Sequence, residues 1–347
     1  MDGVAQDHVM VQSMLPAVVG LLPVATFLAT LLYLDSYKLV RMRTVLAVVA
    51  SGAVVAVACY FTNAAAVTLL RIDFTNYSRY VAPIIEELLK AAVIVWLIQA
   101  NRIGFLVDAA IFGFAVGTGF ALVENVYFLE TVKDAGIGTW IVRGFGTAIM
   151  HGGATATFAV MGTAMLESTP GEELTLRALL PGLGIAIVLH SAYNHLLTSP
   201  RVATVTALFS VPIVLYVVFQ RSEKAVGEWL GKGFDADAEM LELINSGHLS
   251  DSPVGRYLHA MKNKFRGPVV ADLLCYLRLY TELALRAKGI LMMRENGFEV
   301  PVDEPTRDKF TELSYLESSI GKTGLIAIRP MCHMRRKDLW QLYMLEQ

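Results

Sequence analysis

The sequence predicts an all-α protein: a polytopic transmembrane helix bundle of about seven spans, followed by a small, mostly helical soluble C-terminal domain. Three observations carry this prediction. The 347 residues are 55% hydrophobic and only 17% charged, against roughly 25% charged in an ordinary soluble domain. Charge is unevenly placed: residues 14–220 hold 22 Asp, Glu, Lys or Arg in 207 positions, whereas residues 221–347 hold 36 in 127. Upstream of residue 220 the apolar residues fall in runs of about 20, the length that crosses a bilayer core. The change in charge density sets the expected boundary, with a membrane-embedded bundle over 1–220 and a charged, mostly helical domain over 221–347.

The first run, 14–34, is preceded by Asp2 and Asp7 and by no Lys or Arg. That flank is wrong for a cleaved signal peptide, so the run reads as a retained span. A second run covers 45–66. The third, 80–99, has Pro83 in its first turn, where a missing N–H leaves nothing unsatisfied. In the fourth, 105–128, Gly113 and Gly117 have the GxxxG spacing that lets helix backbones approach closely. The fifth and sixth, 140–165 and 178–197, are rich in Gly, Ala and Thr, and the seventh covers 202–220. Lys38, Arg41 and Arg43 mark the first loop, and Arg221 and Lys224 follow the last span. The positive-inside rule then puts the N-terminus outside, and the first loop and C-terminal domain in the cytoplasm.

In the charged domain, residues 268–297 begin with Pro268, end with Gly297 and repeat apolar residues at helical spacing. Phe310, Leu313, Leu316 and Ile320 form a second stripe, expected to close at Gly321. The GKTG at 321–324 lacks the upstream glycine of a phosphate-binding loop, since position 316 is Leu, and carries no nucleotide site. A net charge of −2, with 18 basic and 18 acidic residues balanced in the tail, excludes a nucleic-acid footprint. Cys59, Cys275 and Cys332 form no CxxC pair, which argues against a disulfide framework or a cysteine zinc site. His8, His248, His259 and His333 lie in polar segments and are expected at the surface.

A charged side chain near the bilayer centre costs roughly 2.5–3.5 kcal/mol on insertion scales. Yet Glu86, Glu87 and Lys90 lie in the third run, Glu124 and Asn125 in the fourth, His151 in the fifth, and His190, Asn194 and His195 in the sixth. Polar groups in four successive spans point to one shared site. Glu86 and Lys90 are four apart and share a helix face, as do His190 and Asn194, while Phe120 lies one turn before Glu124. Each group also has a structural alternative. Glu86 and Lys90 could form a self-neutralising ion pair, a histidine could bond a neighbouring carbonyl, Asn125 could cross-link helices, and His195 could face the interface. Two histidines and a glutamate match the His2Glu ligand set of a catalytic zinc, with a further Glu as general base. The same groups could work without metal, a carboxylate and a His activating water while Asn194 steadies the oxyanion. Two other classes use intramembrane polar groups: a proton- or ion-coupled transporter and a non-catalytic membrane scaffold. A transporter is disfavoured by the absence of an internal repeat.

Glu-Glu-x-x-Lys (86–90), Phe-x-x-x-Glu-Asn (120–125), the isolated His151 and His-x-x-x-Asn (190–194), in this order and one per helix, resemble the PrsW family of intramembrane proteases, related to the CAAX prenyl-proteases. The resemblance covers roughly residues 80–200. It implies a bilayer-embedded endopeptidase of a bacterial cell membrane that cuts transmembrane protein substrates, anti-sigma-factor-like regulators among them. Under it residues 1–220 form the catalytic bundle, Glu86 or Glu87 activates water, and Glu124 stands where the CAAX enzymes have a histidine. His151 and His190 become metal ligands or water-orienting groups, with Glu124 completing the ligand set; Asn194 becomes the oxyanion donor and Lys90 the compensating charge. Zinc or another divalent metal is the implied cofactor. There is no His-Glu-x-x-His, so any metal site differs from the common zinc-protease helix.

Overall fold

The computed structural model describes residues 2–132, 134–169, 174–195, 199–298, 300–332 and 336–346, with side chains from residue 14 to residue 345. Every regular element among these residues is helical. The chain divides into two compact units, residues 1–35 with 40–222 and residues 36–39 with 223–347.

The first unit contains α1 (Asp2–Leu34), α2 (Met42–Leu70), α3 (Phe74–Asn76), α4 (Ala82–Gln99), α5 (Leu106–Thr131), α6 (Ile137–Ile141), α7 (Ala148–Glu167), α8 (Leu176–His195) and the start of α9 (Pro200–Asn245). Two π-helical turns, Tyr77–Val81 and Val142–Thr147, lead directly into α4 and α7. Six stretches among the described residues are long and apolar enough to cross a membrane: Met14–Leu34, α2, α5, Ile137–Glu167, α8 and α9. Run length alone had suggested about seven. The difference is α4, which spends three of its 18 residues on Glu86, Glu87 and Lys90.

At the centre of this unit stands α5, in which every residue from Val107 to Ala121 is buried. A helix apolar on all sides belongs inside a bundle, and α5 packs against α1, α2 and α7. The GxxxG face works as its spacing predicts. A Cβ on Gly113 would lie 2.6 Å from the Cα of Ala156, and one on Gly117 would lie 2.6 Å from the Cα of Gly152. Both clashes are with backbone, which cannot rotate away. Gly117→Ala is therefore expected to lower stability by about 1–3 kcal/mol through overpacking, read as an earlier thermal transition of the detergent-solubilised protein. Gly184→Ala, on a helix face with nothing within 4 Å, should leave the transition unchanged or raise it.

The second unit contains the remainder of α9, a 3-10 turn at His248–Asp251, α10 (Pro253–Met261), α11 (Gly267–Glu295), α12 (Glu304–Ile328) and α13 (Arg336–Glu346). Helix α11 begins with Pro268 in its first turn, and Gly297, at φ +81, follows its end. It packs against α10, α12 and α13. Its buried Lys288 pairs with Asp237 at 2.6 Å. Tyr37 donates to Glu295 Oε1 at 2.9 Å, and burial together with that carboxylate pushes its phenol up to about 12. Gly321 closes the first helical stretch of α12, as its position suggested. It adopts φ 64, ψ 177, a region open essentially to glycine, and a second helical stretch, with Gly324 and Ile328 buried, follows the break. His248 and His259 are exposed as expected; His333 and the side chain of His8 lie outside the described residues.

Candidate active site

Local structure places the polar residues. On α4 the buried positions are Ala82, Pro83, Glu87, Lys90, Ala91, Ile94, Leu97 and Ile98. The apolar turns that anchor the helix thus share a face with Glu87 and Lys90 and draw both charges inward. Lys90 is fully buried. Its ammonium donates to Glu87 Oε1 at 2.8 Å and meets His151 Nδ1 at 2.9 Å. The ring of Phe120 covers it, 3.8 Å from Nζ to centroid. The ion pair therefore runs to Glu87, three residues away, rather than to Glu86, four away.

An ammonium can only donate, so Nδ1 of His151 accepts and its proton sits on Nε2. That N–H points at Glu124 Oε2, 3.1 Å away. Glu124 is also paired with Arg143 Nη2 at 3.1 Å. Arg143 in turn donates from Nε to Asn125 Oδ1 at 2.9 Å and lies over the Phe128 ring at 3.6 Å. Asn125 donates to the Gly20 carbonyl at 2.7 Å, cross-linking α5 to α1. On α8, His190 Nδ1 donates to Glu87 Oε1 at 2.9 Å. Its Nε2 faces Glu86 Oε2 at 3.8 Å. The two imidazoles meet edge to face, 4.7 Å between centroids.

Seven residues singled out in the sequence thus converge: Glu86, Glu87, Lys90, Phe120, Glu124, His151 and His190. Asn194 and His195 do not join the network. Asn194 Nδ2 donates to the Ser78 carbonyl at 2.9 Å, and Ser191 Oγ donates to the Arg79 carbonyl at 2.6 Å, fixing α8 to the π-turn before α4. His195 Nδ1 donates to Ser191 O at 2.7 Å and packs edge-on to Tyr80.

Sequence reasoning passed over two members, Arg143 and Asn63. Arg143 is the one charged residue between 140 and 165, a visible mark. Asn63, near the end of α2, donates to Glu86 Oε1 at 3.1 Å.

The site can hold a cation. Glu86, His151 and His190 each offer a ligand atom, all within 4.8 Å of one another. Glu124, the carboxylate expected in this set, has its Oε2 shared between Arg143 Nη2 and His151 Nε2, each at 3.1 Å. Two imidazoles and a carboxylate are the ligand types of a catalytic zinc with one position left open. The carboxylate of Glu87 on His190 Nδ1 supplies the outer-shell contact that turns the other ring nitrogen toward a metal. The donor set therefore fits a divalent transition metal.

The family model described as PrsW family intramembrane metalloprotease matches residues 41–220, more than half of the chain. The match takes in every residue of the network except Gly20. No curated protein and no solved structure matches. Helices long and apolar enough to cross a bilayer, together with this match, make the protein an integral membrane protein. The chain belongs to the PrsW family of intramembrane metalloproteases.

Proposed function

We propose that the protein is an endopeptidase that hydrolyses peptide bonds of transmembrane protein substrates, anti-sigma-factor-like regulators among them, with water activated at the Glu86–His151–His190 site. The observation that supports this most is the convergence of acid, base and ligand groups from α4, α5, α7 and α8 on one buried centre. Four helices that each carried such a group to no purpose would each bear the insertion cost separately.

In this reading Glu86, His151 and His190 hold zinc or another divalent metal. Such a metal polarises the scissile carbonyl and lowers the pKa of water. Glu87 orients His190, and Lys90 balances Glu87. Glu124, whose side chain is 29% exposed and braced by Arg143, is the carboxylate left to take the proton of the attacking water and return it to the leaving amine. Asn194 spends one amide hydrogen on Ser78 and keeps its second for the developing oxyanion. A cavity of about 440 Å³ between α7, α8 and α9 is lined by Met150 and Leu189, the residues just before His151 and His190, and by Tyr193. It offers room for apolar side chains flanking the scissile bond.

One observation favours a metal-free variant. Both ring nitrogens of His151 already have partners, Lys90 and Glu124, so ligation would displace one of them. Without metal, Glu86 is the base and His190 Nε2 accepts the second hydrogen bond of the same water.

The site lies toward the end of the bundle where α2, α5 and α8 finish and α4 and α7 begin. With the basic first loop in the cytoplasm, that end faces outward, and residues 221–347 form a soluble cytoplasmic domain. Sequencing of new N-termini in membranes of cells expressing the wild type or Glu86→Gln tests the reading. Termini within or beside transmembrane segments, present only with the wild type, are expected; identical profiles would refute the reading.

A further inference from the structure

We propose that Asn63 and Tyr77 are positioning residues that hold the Glu86 carboxylate in its metal-binding orientation, an inference that rests on the metal-site reading above. A glutamate has three side-chain torsions, and fixing them costs rotamer entropy. The neighbour of Glu86 across the site does not fix them. His190 Nε2 stands 3.8 Å from Oε2, beyond hydrogen-bond length. Among the described residues, the hydrogen bond that Glu86 does make is at the other oxygen, Oε1, where Asn63 Nδ2 donates at 3.1 Å.

The asparagine is itself oriented. An amide can be turned end for end, and the wrong orientation would set Oδ1 against a carboxylate oxygen, acceptor against acceptor. Tyr77 removes the choice: its hydroxyl donates to Asn63 Oδ1 at 2.8 Å, leaving Nδ2 for Glu86. Tyr77 is only 2% exposed and is the first residue of the π-turn that feeds α4. One short segment thus sets the entry of the helix that carries Glu86 and the side chain that aims it. With Oε1 held, Oε2 is the oxygen presented to His190 and to a shared cation. Outer-shell partners of this kind are typically worth 10–100-fold in metal affinity.

The test uses the full chain, purified in mild detergent, stripped with chelator and titrated with Co(II), whose visible bands report ligand number and geometry. Wild type, Glu86→Gln, Asn63→Leu and Tyr77→Phe are compared, with affinity measured against a chelating competitor. Asn63→Leu should bind Co(II) about 10–100-fold more weakly with altered band intensity, and Tyr77→Phe should shift both in the same direction by less. A purely structural Asn63 would leave the spectrum of the bound ion unchanged. Wild-type affinity and spectrum in Asn63→Leu, alongside loss of binding in Glu86→Gln, would overturn the positioning role and leave the metal site standing. Absence of Co(II) binding by the wild type would overturn both. Should Asn63→Leu fail to fold, Tyr77→Phe, which removes one oxygen atom, decides the matter: wild-type behaviour there refutes the proposal.

Discussion

His190→Ala is expected to lower cleavage of a reporter transmembrane substrate in proteoliposomes by about 10²–10⁴-fold, the range associated with losing one acid–base or ligand group. His190 is 2% exposed and turns one nitrogen to Glu87 and the other toward Glu86. Among the described residues no other links the two carboxylates of α4 in this way. Glu86→Gln should fall by a similar factor, because the amide keeps the shape of the carboxylate but loses its charge and basicity. His195→Ala, on the same helix but hydrogen-bonded among the described residues to its own turn, should retain near wild-type turnover. Equal turnover in His190→Ala and wild type would remove His190 from the mechanism.

The largest effect on stability is expected at Lys90. Removing one partner of a buried ion pair typically costs about 3–5 kcal/mol, because the other charge is left buried and unpaired. Lys90→Met should show that loss in thermal or denaturant unfolding of the solubilised protein, since Glu87 is 2% exposed and cannot reach water. A second substitution gives the reason away. Replacing a buried pair by apolar residues of similar size is often neutral, so Lys90→Met combined with Glu87→Leu should recover part of the loss. Recovery remains partial because His190 Nδ1 then lacks its acceptor. Activity should not return with stability, which separates the structural task of the pair from the chemistry it supports.

These expectations show how far the sequence could be read. Apolar run length and charge density were enough to find the bundle, and charged residues in apolar runs pointed to most of the side chains that converge on one centre. Pairing within the site was not legible. On an isolated helix Glu86 and Glu87 are both neighbours of Lys90, at i,i+4 and i,i+3. The choice of Glu87 follows from His190 and His151 on two other helices, which no local pattern encodes. For the same reason the proposed ligand set takes Glu86: Glu124 is paired with Arg143, which is carried by a π-turn whose extra residue leaves no distinctive mark in composition. Asn63 was invisible because a single asparagine in an apolar run is unremarkable until α2 packs beside α4. Gly321 was legible as a helix breaker, and its φ 64, ψ 177 bears that out; the second helical stretch after it, with Gly324 and Ile328 buried, was not legible.

In the proposed function Glu86, His151 and His190 form one metal-binding hydrolytic centre. The most direct test is the transition-metal content of the purified full-length protein, measured in the wild type, Glu86→Gln, His190→Ala and Glu124→Gln. Close to one metal per chain is expected in the wild type and in Glu124→Gln, and its loss in Glu86→Gln and His190→Ala. Metal retained in Glu86→Gln but lost in Glu124→Gln would contradict it, as would a wild type that takes up no metal even when metal is supplied.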